Sequence, residues 1–427
     1  MTGPCPWRFK CVVCDTLYRG TEVRYRCDCG ETLDVVTTLA AEGGRLEVGH
    51  FDQRLASKHP ADRSGVWRFR ELVLPLPPDE VVTREEGNTP LYDGAALRDF
   101  TGVPWLRLKH EGENPTGSFK DRGMTVAVSI AKRHGFERIA CASTGNTSAS
   151  MAAYAAQAGM RAYVFIPDGK IAYGKLSQAL AYGARTIQIP GDFDAAMRLV
   201  EEVCEAEGIY LVNSINPFRV EGQKAIALEM LQQLDWDAPD WIVLPGGNLG
   251  NNTALSKALA EVDALGFLQR MPRLAVIQAE GANPLYRAWK DGGDVQPVAA
   301  DTLASAIRIG NPVSWRKSLR GLRSTMGVVE QVSDQEIMDA KARVDAIGIG
   351  AEPASCATVA GIRKLTAAGV IGEDERVCGV LTGHLLKDPD AVVNYHQNRL
   401  DGITSHDANA PRKSDGTLDD VRRLLDR

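Results

Sequence analysis

No stretch of the 427-residue sequence approaches a membrane-spanning helix; its apolar runs are short and interrupted. Basic charge is not in excess either. A formal net charge of −6 leaves no cationic footprint for nucleic acid, so neither nucleic acid nor a membrane is an expected partner. The N-terminus lacks the apolar core of a secretory signal, which makes the cytoplasm the expected setting and stable disulfides improbable. Low-complexity tracts and internal repeats are absent, and the histidines follow no metal-binding spacing. What is present is a hydrophobic content of 44%, normal for a folded chain, in a sequence long enough to predict more than one lobe.

Strand-like apolar runs occupy 105–108, 138–142, 161–166, 186–189, 209–212, 241–244, 274–279 and 377–381. Helical patterns over 125–133, 148–158, 194–207 and 220–234 separate most of them. Alternation of this kind predicts an α/β fold with open, mainly parallel sheets, crossover helices and ligands at strand C-terminal ends.

Three polar or glycine-rich turns fall at such ends. The run 139–142 leads into Ser143-Thr144-Gly145-Asn146-Thr147-Ser148 and an alanine-rich helix, a seat for a carboxylate unless the helix is merely capped. The run 241–244 leads into Pro245-Gly246-Gly247-Asn248-Leu249-Gly250-Asn251-Asn252. Glycines so closely spaced let backbone N–H groups approach a phosphate, although a lone glycine loop could be an ordinary tight turn. The run 377–381 ends in Thr382-Gly383, a small hydroxyl and a glycine.

A fourth segment, Glu113-Asn114-Pro115-Thr116-Gly117-Ser118-Phe119-Lys120-Asp121-Arg122-Gly123, places one lysine unusually. Asn114-Pro115 and Gly117 predict a turn, Ser118 a helix cap, and Lys120 the first helical turn. The positive end of the dipole and nearby Arg122 are expected to favour the neutral amine, which can form a Schiff base with a carbonyl cofactor. Taken alone, a lysine is ordinarily a solvated surface residue.

In this order the segments resemble the threonine synthases, pyridoxal 5′-phosphate enzymes of fold type II grouped with tryptophan synthase β-subunits and serine/threonine dehydratases. The likeness runs from about residue 67 to 396. It also includes Glu86-Gly87-Asn88-Thr89-Pro90-Leu91, Asn213-Ser214-Ile215-Asn216-Pro217, Glu221-Gly222-Gln223-Lys224, Ser305 to Pro312, and Glu352-Pro353-Ala354-Ser355. The resemblance implies a two-lobed enzyme: an N-terminal arm at 46–90, a large cofactor-binding domain at 91–124 and 223–400, and a small domain at 125–222. It further implies a homodimer.

By the same resemblance Lys120 would carry the cofactor as an internal aldimine and shuttle protons. Gly246, Gly247, Asn248, Leu249, Gly250 and Asn251 would cradle the cofactor phosphate. Asn146 would hydrogen-bond the cofactor's ring hydroxyl, and Thr382 would sit against its pyridine nitrogen. Ser143, Thr144 and Thr147 would receive the substrate carboxylate. Ser214, Asn216 and Arg219, with Lys224 beyond, suit a phosphate dianion, because a guanidinium with hydroxyl and amide donors matches its oxygens. Arg308 is a second cationic candidate. The implied reaction converts O-phospho-L-homoserine and water to L-threonine and phosphate by β,γ-elimination and β-addition of water. A cysteate synthase acting on O-phosphoserine and sulfite would keep both the phosphate pocket and most motifs. A threonine or serine dehydratase would keep only the cofactor sites, and an inactive binding protein only the fold.

Residues 1–45 form a separate problem. Cys11-x-x-Cys14 and Cys27-x-Cys29 could hold one structural zinc in a zinc-ribbon-like module, with free thiols as the alternative. The second pair is spaced more tightly than usual, and Cys5 is a spare. Several threonine synthases look similar here. Cys141, Cys204, Cys356 and Cys378 lie in apolar or helical contexts and read as small core residues. His384 could reach the site or only pack beside it. The segment 401–427 is a polar tail whose end, 418–427, suits a short amphipathic helix or disorder.

Overall fold

The computed structural model describes residues 5–37, 46–168, 173–191 and 193–425. The first four residues and 38–45 of the expected N-terminal module, and the last two of the expected terminal helix, lie outside them. Strands β1 Trp7–Cys11, β2 Leu17–Arg19 and β3 Leu33–Thr37 form an antiparallel sheet in the order β2-β1-β3. Then come β4 Leu91–Asp93, β5 Leu106–His110, β6 Arg138–Ala142, β7 Arg161–Pro167, β8 Arg185–Ile189 and β9 Tyr210–Leu211. The last four are β10 Trp241–Pro245, β11 Arg273–Ala279, β12 Val328–Val332 and β13 Val377–Leu381.

Two further sheets result. One runs β12-β11-β10-β13-β5-β4 and is parallel except for the β4–β5 pair; the other runs β8-β7-β6-β9 and is wholly parallel. Every residue of β10 and β13 is buried, as expected for central parallel strands covered on both faces. Strand order reverses between β10 and β13 in the large sheet and between β6 and β9 in the small one. Crevices outside the carboxyl ends of strands at such reversals are where open α/β sheets bind ligands. The loops after β10, β13 and β6 are the three turns singled out in the sequence.

All eight strand-like runs become strands, 138–142 and 377–381 with the same ends and the other six with ends shifted. β12 escapes sequence reading because Glu330 and Gln331 interrupt a half-buried edge strand. The helical pattern 220–234 divides into Phe218–Gln223 and Ala225–Gln233, meeting at Lys224. The pattern at 125–133 begins earlier, as helix Lys120–Arg133. Residues beyond 400 are only partly a loose tail: Thr404 N–H donates to Gln335 and Asp407 N–H to the Tyr395 hydroxyl. No helix among the described residues is long and apolar enough to cross a membrane.

The N-terminal sheet is fastened to the body at several points. Trp7 and Phe9 meet Phe218 edge-on, with ring centroids 6.2 and 5.4 Å apart. The Tyr25 hydroxyl accepts the Leu211 N–H of edge strand β9 at 2.9 Å. The Lys317 ammonium reaches the Leu33 carbonyl at 2.6 Å and Asp34 at 3.0 Å. The module therefore braces the segment that runs from β9 to Arg219.

Candidate active site

Lys120 opens helix Lys120–Arg133, beside the carboxyl end of β13. Phe119 occupies the cap position with helical φ of −56°; Ser118, one residue earlier, accepts the Lys120 N–H on its hydroxyl at 3.4 Å and pairs with Gly383 across a short antiparallel bridge. Phe119 N–H donates to the Thr382 carbonyl at 3.0 Å and His384 N–H to the Gly117 carbonyl at 3.0 Å. These bonds tie the lysine's loop to the end of β13.

The side chain of Lys120 is partly exposed but crowded by protein. That desolvation lowers its pKa first, the Arg219 charge lowers it further, and Glu352 offsets part of the shift, leaving about 7. Arg122, which the sequence suggests as the perturbing cation, does not act on the amine. Residues two apart on a helix point in different directions, and Arg122 is turned into the core. There its guanidinium meets Glu111 twice at 2.7 Å and Glu229 at 2.9 Å, while Lys109 meets Glu229 at 2.6 Å. Burial raises the Glu229 pKa, but Arg122 and Lys109 outweigh it and hold the carboxyl well below the usual range. This fully buried network is the support on which the first turn of the helix stands.

The glycine loop after β10 ends in Leu249, whose φ of 64° is left-handed, and helix Gly250–Ala264 follows. A Cβ on Gly246 would lie 2.5 Å from Val276 Cγ1, so the close strand packing here requires glycine. Asn248 Oδ1 accepts the Val313 N–H at 2.6 Å. Asn251 is buried at the helix N-terminus, and neither end of its amide has a protein partner. Just past the end of β13, the neighbour of β10, the Thr382 hydroxyl lies 3.0 Å from that of Ser355.

On the small-sheet side, helix Asn146–Ala158 begins directly after the hydroxyl-rich turn. The Asn146 amide donates to both oxygens of Glu352, at 3.3 and 3.2 Å. Glu352 is 4% exposed; burial raises its pKa, and the Asn146 bond and the charges of Lys387 and Lys120 offset this in part. Ser143, Thr144 and Thr147 are half-buried around that turn, and the Ser143 hydroxyl accepts the Gly145 N–H at 3.2 Å.

After β9, Ser214 is half-buried and Asn216 fully buried. Both ends of the Asn216 amide are engaged, Nδ2 donating to the Leu211 carbonyl at 2.9 Å and Oδ1 accepting the Phe218 N–H at 3.1 Å. Asn216 therefore shapes the loop. Arg219 donates to the Val212 carbonyl at 3.1 Å, yet its Nε is buried without a partner. Burial lowers its pKa to about 10, so it is a cation at neutral pH. Lys224 turns away, to Glu221 at 2.8 Å and Glu261 at 2.7 Å, and Arg308 is exposed.

His384 accepts the Leu386 N–H at 3.2 Å and packs 6.3 Å from the His110 ring, a structural role. Nothing local in the sequence marks Glu352 and Ser355 as functional, although Glu352-Pro353-Ala354-Ser355 stands out there as a motif. Their partners lie 206 and 27 residues away, a relation no local pattern carries.

At the N-terminus the sulfurs of Cys11, Cys14, Cys27 and Cys29 all lie within 4.8 Å of one another, a group able to hold a metal ion. Three of the sulfur pairs are 3.5, 3.6 and 3.7 Å apart. Bonds of about 2.3 Å to a tetrahedral metal imply edges of about 3.8 Å, so the spacing fits. Cys5 stands outside the group, and Cys141, Cys204, Cys356 and Cys378 are buried free thiols.

Residues 82–383 match a protein family described as pyridoxal-phosphate dependent enzyme. A threonine synthase of Methanosarcina acetivorans is 47% identical over 91% of this chain and 94% of its own length. That of Methanocaldococcus jannaschii is 43% identical over 92% and 95%. Arabidopsis thaliana threonine synthase 2, chloroplastic, is 39% identical over 96% and 82%. Among solved structures, maize serine racemase superposes with a TM-score of 0.62 at 18% identity, covering 80% of this chain and 94% of its own.

Proposed function

The chain belongs to the pyridoxal-phosphate-dependent enzymes of fold type II, and on that premise we propose how its residues divide the work of a threonine synthase. The activity is the conversion of O-phospho-L-homoserine and water to L-threonine and phosphate, favoured over the dehydratase and sulfur-adding alternatives by relatives that match nearly end to end. Pyridoxal phosphate, when bound, supplies the electron sink that acidifies the substrate's Cα and then Cβ hydrogens, so that phosphate leaves from Cγ and water adds at Cβ.

The residues present fit that group. A buried Asn251 amide without a partner and a glycine turn at a helix N-terminus suit its phosphate. In this reading Gly246, Gly247, Asn248, Leu249, Gly250 and Asn251 hold the cofactor phosphate. Thr382, steadied by Ser355, receives the ring nitrogen, and Asn146, steadied by Glu352, the ring hydroxyl. The observation that carries the assignment is Lys120, whose pKa of about 7 leaves much of the amine neutral at physiological pH, able to bond an aldehyde and to move protons at Cα, Cβ and Cγ.

Ser143, Thr144 and Thr147 receive the substrate carboxylate, and Ser214 and Arg219 its phosphate, with Asn216 setting their loop. Arg219→Gln tests the phosphate end. The expected result is a KM for O-phosphohomoserine raised about 30-fold or more, with cofactor affinity unchanged. An unchanged KM would remove Arg219 from the substrate site.

Zinc is the metal proposed for Cys11, Cys14, Cys27 and Cys29, supported by the tetrahedral spacing of four thiols. Metal analysis of purified protein is expected to find one zinc per chain, lost in Cys14→Ser. Because Trp7 and Phe9 pack on Phe218, next to Arg219, metal loss should also raise the KM for substrate. Protein without bound metal and with full turnover would refute the site. Domain limits of 91–124 with 223–400 and of 125–222 are supported by the four-stranded sheet, whose strands all lie within the second range. A cytoplasmic homodimer remains the form proposed from the family resemblance.

A further inference from the structure

Gln223 belongs to a sequence motif that the assignments above leave without a role. It is 4% exposed and ends the short helix Phe218–Gln223, four residues after Arg219 and thus on the same face. That face presses on helix Lys120–Arg133 at a point with no room for a side chain. A Cβ on Gly123 would lie 2.6 Å from the Arg219 carbonyl oxygen and 3.1 Å from Gln223 Nε2. Gly123 is three residues beyond Lys120, one turn along the same surface. On its other side, Gln223 Oε1 lies 3.8 Å from where a Cβ on Gly250 would stand, at the start of the helix that follows the glycine loop.

Gln223 Oε1 has no hydrogen-bond partner, and the same is true of Arg219 Nε and of both ends of the Asn251 amide. Buried polar groups are normally paired, so the orphaned Gln223 Oε1, Asn251 amide and Asn252 Oδ1 beside the start of one helix, with Arg219 Nε on the same helix face as Gln223, call for a ligand. The neighbouring Lys224 shows the contrast: also buried, its ammonium donates to the Leu72 carbonyl and to Glu261. With the Gln223 amide turned so that its NH2 faces the gap, the missing ligand must offer acceptors to the Arg219 Nε–H and to amide N–H groups at the positive end of a helix. Those are the properties of a phosphate. A carboxamide can turn its NH2 toward such an anion.

We infer that Gln223 donates a hydrogen bond to a phosphate group in the active site, from a position between Arg219 and the glycine loop. The inference rests on the cofactor and substrate reading above, which brings two phosphates to this space: the cofactor's and the substrate's. The test is Gln223→Glu, nearly the same shape with an anion in place of the donor. Two quantities are measured: KM for O-phosphohomoserine, and the ratio of affinities for pyridoxal phosphate and for pyridoxal.

A contact to the substrate phosphate predicts a KM about 10- to 100-fold higher with that ratio unchanged. A contact to the cofactor phosphate predicts a ratio lowered about as much. Wild-type values for both in a folded variant would overturn the inference. If Gln223→Glu does not fold, Gln223→Met, which fills the space without a donor, is read the same way. The cofactor arm needs no turnover. A lowered ratio in a protein that makes no threonine would sustain the inference while the substrate reading failed.

Discussion

Lys120→Ala is expected to leave a folded protein whose turnover falls by about a thousandfold or more, since one substitution removes both the covalent anchor and the acid/base group. The side chain makes no ion pair among the described contacts, so its loss leaves the supporting network of Arg122, Glu111 and Glu229 intact. The same amine gives a pH signature. With a pKa near 7, its neutral fraction reaches one half at about that pH and saturates about one to two units above it. Cofactor capture by stripped protein should therefore accelerate with pH and level off at about pH 8 to 9. An ordinary lysine would keep gaining toward about pH 10. Residual turnover within tenfold of wild type in the alanine variant would show that another group does this work.

The second large effect is on stability. Glu229 is 1% exposed and pairs with Arg122 at 2.9 Å and Lys109 at 2.6 Å. Glu229→Ala leaves Lys109 buried without its carboxylate and Arg122 with Glu111 alone, a loss of about 3–5 kcal/mol that should appear as a lower denaturant midpoint for the large lobe. The sign with pH follows from its depressed pKa. An unfolded glutamate takes up a proton at about pH 4.3, before the folded one does, so acid favours unfolding. The contribution is fully present above that pH and fades as pH falls below it. The variant should thus lose most of its stability deficit relative to wild type in strong acid. An equal deficit at all pH values would mean that packing, and not charge, accounts for it.

The comparison of sequence and structure turns on which relations are local. Each strand-then-turn unit is contiguous, so the turns after β6, β10 and β13 and the lysine after the Asn-Pro turn could be read from the residues. The reversals of strand order that bring them to one cleft follow from parallel α/β topology. What could not be read are relations between distant segments. Arg219, not Arg122, is the cation that acts on Lys120, because helix geometry sends Arg122 into the core while the crossing of two helices at Gly123 brings Arg219 near the amine. Asn216 looks like a ligand in sequence but spends its amide on its own loop. Glu352 becomes part of the site only when Asn146 meets it across the cleft. The edge strands β4 and β12 were missed because one or both faces keep polar residues, which weakens the apolar signal.

Product analysis tests the central claim most directly. Purified, cofactor-loaded protein is given O-phosphohomoserine in one arm and O-phosphoserine with sulfite in the other, and phosphate and amino acids are both quantified. The account predicts threonine formed in step with phosphate in the first arm and abolished by Lys120→Ala. Cysteate in the second arm with no threonine in the first would contradict it.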